Sequence, residues 1–475
     1  MKPSPAAEKP FDQDAADLQK LGYAQELLRG MGGFSNFAVS FSVISILTGA
    51  TQLYGYGLQH GGPLQMSAGW LVVSFFTMMV ALSMAELASA YPTAGALYHW
   101  SCILGGRGLG WFTACYNTIG QFAILAGIDW GLAGFLLGLF GWEPTRAHTL
   151  ATFAVLLLSH AVLNHLGIRV VSWLNDFSAW YHMAVVLFIL VVLGVKGFAQ
   201  PVSFLFKFAK ADAYSPSYSF IIGLLLAQWT LTGYDASAHV TEETHDPRRN
   251  APWGIFIAVV VSVVFGFLML AAITLSIPDL AQATAFGDNA LIEVMKLRLG
   301  PSMGETLVAL VCGAMWLCGL AAMTSASRMV YAFSRDGGLP GHALWAKVSP
   351  RFRTPANAIW GLFVFAMLIA VSVKEYSAVL SIAVIALYIS YGLPIVARLW
   401  ARLRGSGGSI GPWNLGRFSS AIATIAILWI AGICVVFVLP PNEQAGSMIA
   451  WVTAILLAIW FGWSRKHFAG PKFPH

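Results

Sequence analysis

Charged side chains are scarce in this chain. Only 10% of its 475 residues are Asp, Glu, Lys or Arg, against roughly 25% in an ordinary soluble domain. Hydrophobic residues make up 57% and the mean hydropathy is +0.70. That shortage excludes a chain built from ordinary soluble domains. The basic excess is small, 27 Lys and Arg against 21 Asp and Glu. It falls between apolar runs and forms no continuous stripe, so nucleic-acid binding is not expected. Cysteine is also sparse. Cys102, Cys115, Cys312, Cys318 and Cys434 lie in or near apolar segments without metal-ligand spacing and read as packing residues. His160, His165 and His182 are spread over two apolar segments and lack the i, i+4 spacing of a metal pair. With no nucleophile–base set either, neither a metal, a cofactor nor an enzymatic activity is expected. Long connections are missing too. The longest, about 278–303 and 334–355, are too short for a soluble domain. The first 33 residues are polar and mixed in charge (Asp12, Asp14, Asp17, Lys20, Glu26, Arg29). They lack the basic patch and short apolar core of a cleaved signal peptide, so the first apolar span is expected to serve as an uncleaved insertion signal.

Long apolar runs are abundant. A membrane span needs about 20 mostly apolar residues. Twelve candidates lie at roughly 35–58, 67–91, 109–140, 148–167, 170–195, 218–241, 252–277, 304–333, 356–373, 377–400, 417–439 and 447–464. An all-α, twelve-span membrane protein is expected. Loop charge gives the orientation. One side would hold Arg107, Arg169, Arg248, Arg249, Arg335, Lys347, Arg351, Arg353, Arg398, Arg402 and Arg404, with Arg465, Lys466 and Lys472 in the tail. The other would hold Arg146, Lys196, Lys207, Lys210, Lys296, Arg298 and Lys374. That asymmetry predicts a cell-membrane protein, surrounded by lipid, with both termini cytoplasmic.

The first and sixth spans echo one another. Leu47-Thr48-Gly49 sits mid-way along the first and Leu231-Thr232-Gly233 mid-way along the sixth. Interruptions in corresponding spans point to secondary transport, with a site between two five-helix halves. Unwinding at Thr48–Ala50 would free N–H groups at a half-helix start, which attracts a carboxylate. Small residues there also suit a helix-packing seam. In Thr232-Gly233-Tyr234-Asp235, Asp235 is an intramembrane carboxylate, a costly group that usually faces a cavity. It suits a substrate ammonium, or it organises unwound backbone by accepting N–H groups. Tyr234 adds an aromatic face and a hydroxyl. Thr48, Gly49, Ala50, Thr232, Gly233, Tyr234 and Asp235 are therefore the candidate substrate-binding residues. Glu242 and Glu243 follow near the cytoplasmic mouth and are expected to pair with Arg248, Arg249 or another loop. In the fifth span Asn175 and His182 are seven residues apart and share one helix face. His182 suits proton coupling, or it is a neutral ring bonded to a carbonyl. In the eighth span Thr324 and Ser325 offer oxygen ligands to a small cation, or bond back to their own helix. His182, Asn175, Thr324 and Ser325 are the candidate ion-coupling residues. Arg335 and Asp336 are expected at the cytoplasmic surface.

Three motif groups occur in order: Ala85-Glu86-Leu87 through Pro92, Gly95 and Tyr98; Gly233-Tyr234-Asp235-Ala236 with Ala238-His239 and Glu242-Glu243; and Ala326-Ser327-Arg328 with Arg335-Asp336-Gly337. On these residues the chain resembles the amino acid–polyamine–organocation superfamily, and within it the amino acid/choline transporter family of permeases for 4-aminobutyrate, choline and polyamines. The resemblance covers essentially the whole chain. It implies the leucine-transporter type fold: a cytoplasmic tail over 1–33, a ten-helix core over 34–400 with inverted repeats at about 34–195 and 218–400, and two peripheral helices with the tail over 401–475. It also implies a small-molecule substrate held at the breaks of spans one and six. An ω-amino acid like 4-aminobutyrate is the leading expectation, with choline or a polyamine as the alternative. Many superfamily members carry a lysine in span five in place of a sodium ion. The matching position here is His182.

Overall fold

The computed structural model describes residues 10–372, 376–406 and 408–471. Lys374 and Lys472, two of the residues used for orientation, lie outside them. The fold is helical, and among the described residues β-pairing is confined to a single bridge between Met31 and Thr244. The helices run in chain order as α1 (Pro10–Lys20), α2 (Gly33–Ile44), α3 (Ile46–His60), α4 (Trp70–Ala90, preceded by a π-turn over Gln65–Gly69), α5 (Leu97–Leu139), α6 (Arg146–Leu166) and α7 (Ile168–Lys196). There follow α8 (Pro216–Gly223), α9 (Leu225–Thr230), α10 (Ala236–His239), α11 (Pro247–Leu275), α12 (Leu280–Ala285), α13 (Ala290–Leu299) and α14 (Pro301–Arg335). The last are α15 (His342–Trp345), α16 (Ala356–Ser372), α17 (Tyr376–Leu403), α18 (Ser419–Val436), α19 (Glu443–Ile459) and α20 (Arg465–His467).

Among the described residues ten helices are long and apolar enough to cross a membrane, and α16 is a shorter apolar helix. This is a multi-pass membrane protein. Lipid offers no hydrogen bonds, so each crossing must satisfy its own backbone, which a helix does. The outer helices α6, α7, α18 and α19 turn large apolar side chains outward, including Trp173, Trp451 and Leu428. In water such a surface would be an aggregation liability. Inside the bundle α17 runs along α5, α11 packs on α4 and α2, and α14 crosses α5, α6 and α7.

Several boundaries differ from expectation. The third span was expected at 109–140, but helix begins at Leu97 and turns at Gly106, whose φ is +84°. The glycine cluster there reads as a loop in sequence, yet only Gly106 leaves helical geometry. The connection expected over 278–303 contains α12 and α13, which pack beside α3. Part of the described amino-terminal segment packs on the bundle. Its residues 23–31 lie against the end of α14 and the segment after α10, through contacts described below.

The first and sixth spans cross where both are small. A Cβ on Gly49 would lie 2.4 Å from Thr230 Oγ1 and 2.6 Å from Thr230 Cα. One contact is backbone and cannot swing aside, so Gly49→Ala is expected to push α3 off α9. Overpacking of this kind costs about 1–3 kcal/mol. The thermal unfolding midpoint in detergent should fall by several degrees, and an unchanged midpoint would mean that the crossing is loose.

Candidate functional site

Both breaks are present, and one is displaced from its expected place. The first span breaks at Ser45, which has φ 34° and ψ 80° between α2 and α3. Thr48–Ala50, expected to be unwound, forms the first turn of α3, and the Gly49 N–H donates to the Ser45 carbonyl at 3.0 Å. The reason is local: the Ser45 side chain caps α3, accepting from the Thr48 N–H at 3.3 Å, so the helix restarts at once. The sixth span breaks where expected. It leaves helix after Thr230, passes Gly233 at φ +104° and resumes at Ala236. That φ suits glycine, and a Cβ there would also meet Val43 Cγ1 at 2.4 Å.

The two breaks are tied together by hydroxyls. Ser40 Oγ donates to the Tyr234 carbonyl at 2.7 Å and accepts from the Ser237 N–H at 2.8 Å. The Ser237 hydroxyl donates to the Asn36 carbonyl, and Asn36 Nδ2 donates to the Ser237 carbonyl. Backbone groups freed by the unwinding of one span are thus answered by the other. Ser40, Ser42 and Ser45 show in the sequence as a hydroxyl row, but only Ser40 answers span six, whereas Ser42 donates to Ser178 Oγ and Ser45 meets His182, both on α7.

Asp235 lies at the centre of a buried network. Its Oδ1 accepts from the Tyr391 hydroxyl at 2.7 Å. Its Oδ2 accepts from Gln121 Nε2 at 3.1 Å and Asn117 Nδ2 at 3.2 Å, with His239 Nε2 at 3.3 Å. The expectation that it takes unwound N–H groups is corrected: its partners are side chains of α5, α10 and α17. Asn117 and Gln121 are four residues apart and share one face of α5, a signal available in sequence but not singled out. The Tyr234 and Tyr391 rings meet at a tilt of 47° with centres 5.3 Å apart. Asp235→Asn would set an amide N–H against donors, a mismatch worth about 1–3 kcal/mol. We expect it to lower stability and transport capacity while leaving substrate affinity unchanged. A large loss of affinity at wild-type stability would instead make Asp235 a direct substrate ligand.

His182 is placed on the break itself. Its Nδ1 lies 2.8 Å from the Ser178 carbonyl and its Nε2 2.7 Å from Ser45 Oγ. A carbonyl only accepts, so Nδ1 carries the proton and, in the neutral ring, Nε2 accepts from the Ser45 hydroxyl. Ser45 Oγ is also 2.5 Å from Thr48 Oγ1. Asn175, two turns earlier, donates to its own helix at Val171. Thr324 and Ser325 are not gathered here. Thr324 donates to Asn164 Oδ1 and to the Leu320 carbonyl, while Ser325 accepts from Gln121. The α14 side chain at the first break is Cys318, whose thiol donates to the Val43 carbonyl at 3.3 Å. No sequence signal distinguished it from a packing cysteine.

Near residues 23–31, ion pairs tie the segment after α10 to α14. The partners expected for Glu242 and Glu243 were Arg248, Arg249 or another loop. They are instead Arg335 and Arg328 of α14. Arg328 forms a two-pronged pair with Glu243 at 2.9 and 3.1 Å, both side chains fully buried. Arg335 pairs with Glu242 at 2.9 and 3.0 Å. Arg335 and Asp336 were expected at the surface, but both are largely covered by the 23–31 segment. The Tyr23 ring lies 4.0 Å from the Arg335 guanidinium, and Tyr23, Tyr98 and His99 converge on Asp336 Oδ2 within 2.9 Å. Burial raises the Asp336 carboxyl, but the bond and charge of His99 and the charge of Arg335 outweigh it and hold it below its usual range.

At the opposite end a cavity of about 720 Å³ reaches inward to Gln52 and Trp130, with Arg146, Glu293 and Lys296 on its walls. Gln52 Oε1 accepts from the Trp229 indole at 2.9 Å, so these two side chains stand where the cavity approaches the breaks. Among the described residues no cluster of three or more His, Cys, Asp or Glu could hold a metal ion.

A sequence model of the family described as amino acid permease matches residues 32–462. The chain is 36% identical to amino-acid permease BAT1 of Arabidopsis thaliana, covering 97% of this chain and 96% of that protein. It is 37% identical to the BAT1 homolog of rice, with the same coverage. The GABA-specific permease of Saccharomyces cerevisiae is 27% identical over 96% of this chain and 85% of its own length. These relatives are permeases, not enzymes, and the chain belongs to the amino acid permease family.

Proposed function

We propose that this chain is a secondary active transporter that carries an amino acid across the cell membrane by alternating access. The chain then crosses the membrane twelve times. Spans one to five and six to ten form inverted repeats over about 34–195 and 218–400, and both termini are cytoplasmic. The observation that carries it is the pair of facing breaks at Ser45 and Leu231–Asp235, cross-bonded through Ser40 and Ser237. The cavity ending at Gln52 and Trp130 is then the outer vestibule, and the Glu242–Arg335 and Glu243–Arg328 pairs form the closed inner gate. The start of α3, with Thr48–Ala50 in its opening turns, turns its electropositive end toward the substrate carboxylate. Thr232, Gly233 and Tyr234 offer backbone and an aromatic face on the facing side. Asp235 organises that wall from behind.

The substrate we favour is an ω-amino acid like 4-aminobutyrate, and the name of the yeast relative supports it. Coupling is to protons, through His182, which sits where many superfamily members carry a lysine. Uptake into proteoliposomes from a panel of amino acids, choline and polyamines tests the substrate. Saturable uptake of 4-aminobutyrate, competed by its neighbours in chain length, is expected. Uptake of choline or a polyamine alone would overturn the amino acid reading.

A further inference from the structure

A second buried acid–base pair stands on the other side of the first break. Asp129 of α5 and His160 of α6 are both fully buried, with Asp129 Oδ2 3.2 Å from His160 Nδ1. Their remaining polar atoms, Asp129 Oδ1 and His160 Nε2, are buried and without a hydrogen-bond partner. With a neutral ring the pair carries one negative charge inside the membrane, an expensive arrangement. Adding one proton makes it neutral as a whole, with the imidazolium and carboxylate in contact. The pair is therefore one positive charge short, with two open positions.

Helix α14 seals it. A Cβ on Gly319 would lie 2.4 Å from Asp129 Oδ1 and 2.6 Å from His160 Cε1, so only a glycine backbone fits against the dyad. The preceding residue is Cys318, whose thiol holds the Val43 carbonyl at the end of α2. A movement of α2 at its break thus pulls on α14 one residue from the surface that covers the dyad. Other titratable or charged groups lie close on the packed helices. Cys318 feels the Asp129 charge from α14. Asn164, one turn along α6, joins the His160 carbonyl to Arg328. Asp235 is reached two turns down α5 through Asn117 and Gln121, and His182 lies across Ser45 on α7.

We propose that Asp129 and His160 form a second proton-binding site, loaded and released as α14 follows the first break. Its role in coupling rests on the transport reading above, whereas its proton binding does not. No bond other than that to the proton changes: a proton enters from water at one face and leaves to water at the other.

The test is histidine ¹⁵N NMR on the full-length protein in nanodiscs without substrate, the His160 signal being the one lost in His160→Gln. As the pH is lowered, the His160 ring of the wild-type protein should convert from a neutral tautomer to imidazolium. In Asp129→Asn the imidazolium signal at a given pH should shrink several-fold, because the opposite charge that favours imidazolium is gone. A ring that stays one neutral tautomer at every pH at which the wild-type protein remains folded overturns the proposal, whatever the substrate proves to be. In proteoliposomes a one-unit pH gradient is worth about 1.4 kcal/mol per proton, or roughly tenfold accumulation. Asp129→Asn should lose that accumulation while keeping substrate exchange. Accumulation at wild-type level in Asp129→Asn would also overturn it.

Discussion

His182→Ala is expected to abolish accumulation driven by a pH gradient while substrate exchange persists. The imidazole meets the one residue of the first span with left-handed backbone. Ser45 is not glycine, and φ 34° costs such a residue about 1–2 kcal/mol. Its hydroxyl helps to hold it there, giving its proton to His182 Nε2 and accepting at the Thr48 N–H. Protonating His182 puts a hydrogen on Nε2. Ser45 must then accept from the ring, and its own hydrogen turns to Thr48 Oγ1, 2.5 Å away. One proton therefore rewrites the bonds that hold the hinge. Ser45→Ala removes the same relay and should reproduce the phenotype, which a merely structural His182 would not predict. His182→Lys restores a charge at the position and should keep part of the coupling. The assay is uptake in proteoliposomes with an imposed pH gradient and no sodium. Accumulation at wild-type level in His182→Ala would remove His182 from the coupling path. Dependence on sodium would demand oxygen ligands, and Thr324 and Ser325 would first have to leave Asn164 and Gln121.

How much of this was legible beforehand follows from the range of each interaction. Apolar runs reveal crossings because lipid imposes a local rule on every stretch of 20 residues. Gly233 was readable because a glycine between Thr232 and Tyr234 marks a bend in its own span. Gly49 misled for the same reason. It is small because Thr230 presses on it, and the bend lies four residues earlier, at a serine that no propensity would choose for left-handed backbone. For Glu242 and Glu243 the sequence left Arg248, Arg249 and another loop open. Arg248 and Arg249 are near in the chain, whereas Arg328 and Arg335 are near in space, one helix end away. Asp235 was found by its charge, but its role depended on Asn117, Gln121 and Tyr391, which look like ordinary polar residues until α5 and α17 are packed together. Asp129 and His160 are 31 residues apart on separate helices, and only the packing of α14 shows that they are sealed as a pair.

Arg328→Met and Glu243→Leu should each be severely destabilising alone and far less so together. Both side chains are fully buried and bonded through two contacts. Removing one partner leaves an uncompensated charge, which costs about 3–5 kcal/mol, while replacing both with apolar groups is often neutral. Each single variant should therefore give little folded protein, and the double variant should melt close to the wild type. Its function should not recover. Arg328 also reaches Asn164 of α6, so the pair joins the segment after α10 to α14 and, through it, to α6. Without that clamp the inner gate should open more often. Cys318, buried at the first break, reports this. Its alkylation by a polar thiol reagent, located by mass spectrometry, should rise several-fold in the double variant. A double variant as unstable as the singles would mean that packing, not charge, dominates at this position. Unchanged labelling of Cys318 in a stable double variant would show that the pair supports the fold without holding the gate, leaving Arg335 and Glu242, under Tyr23, as the clamp.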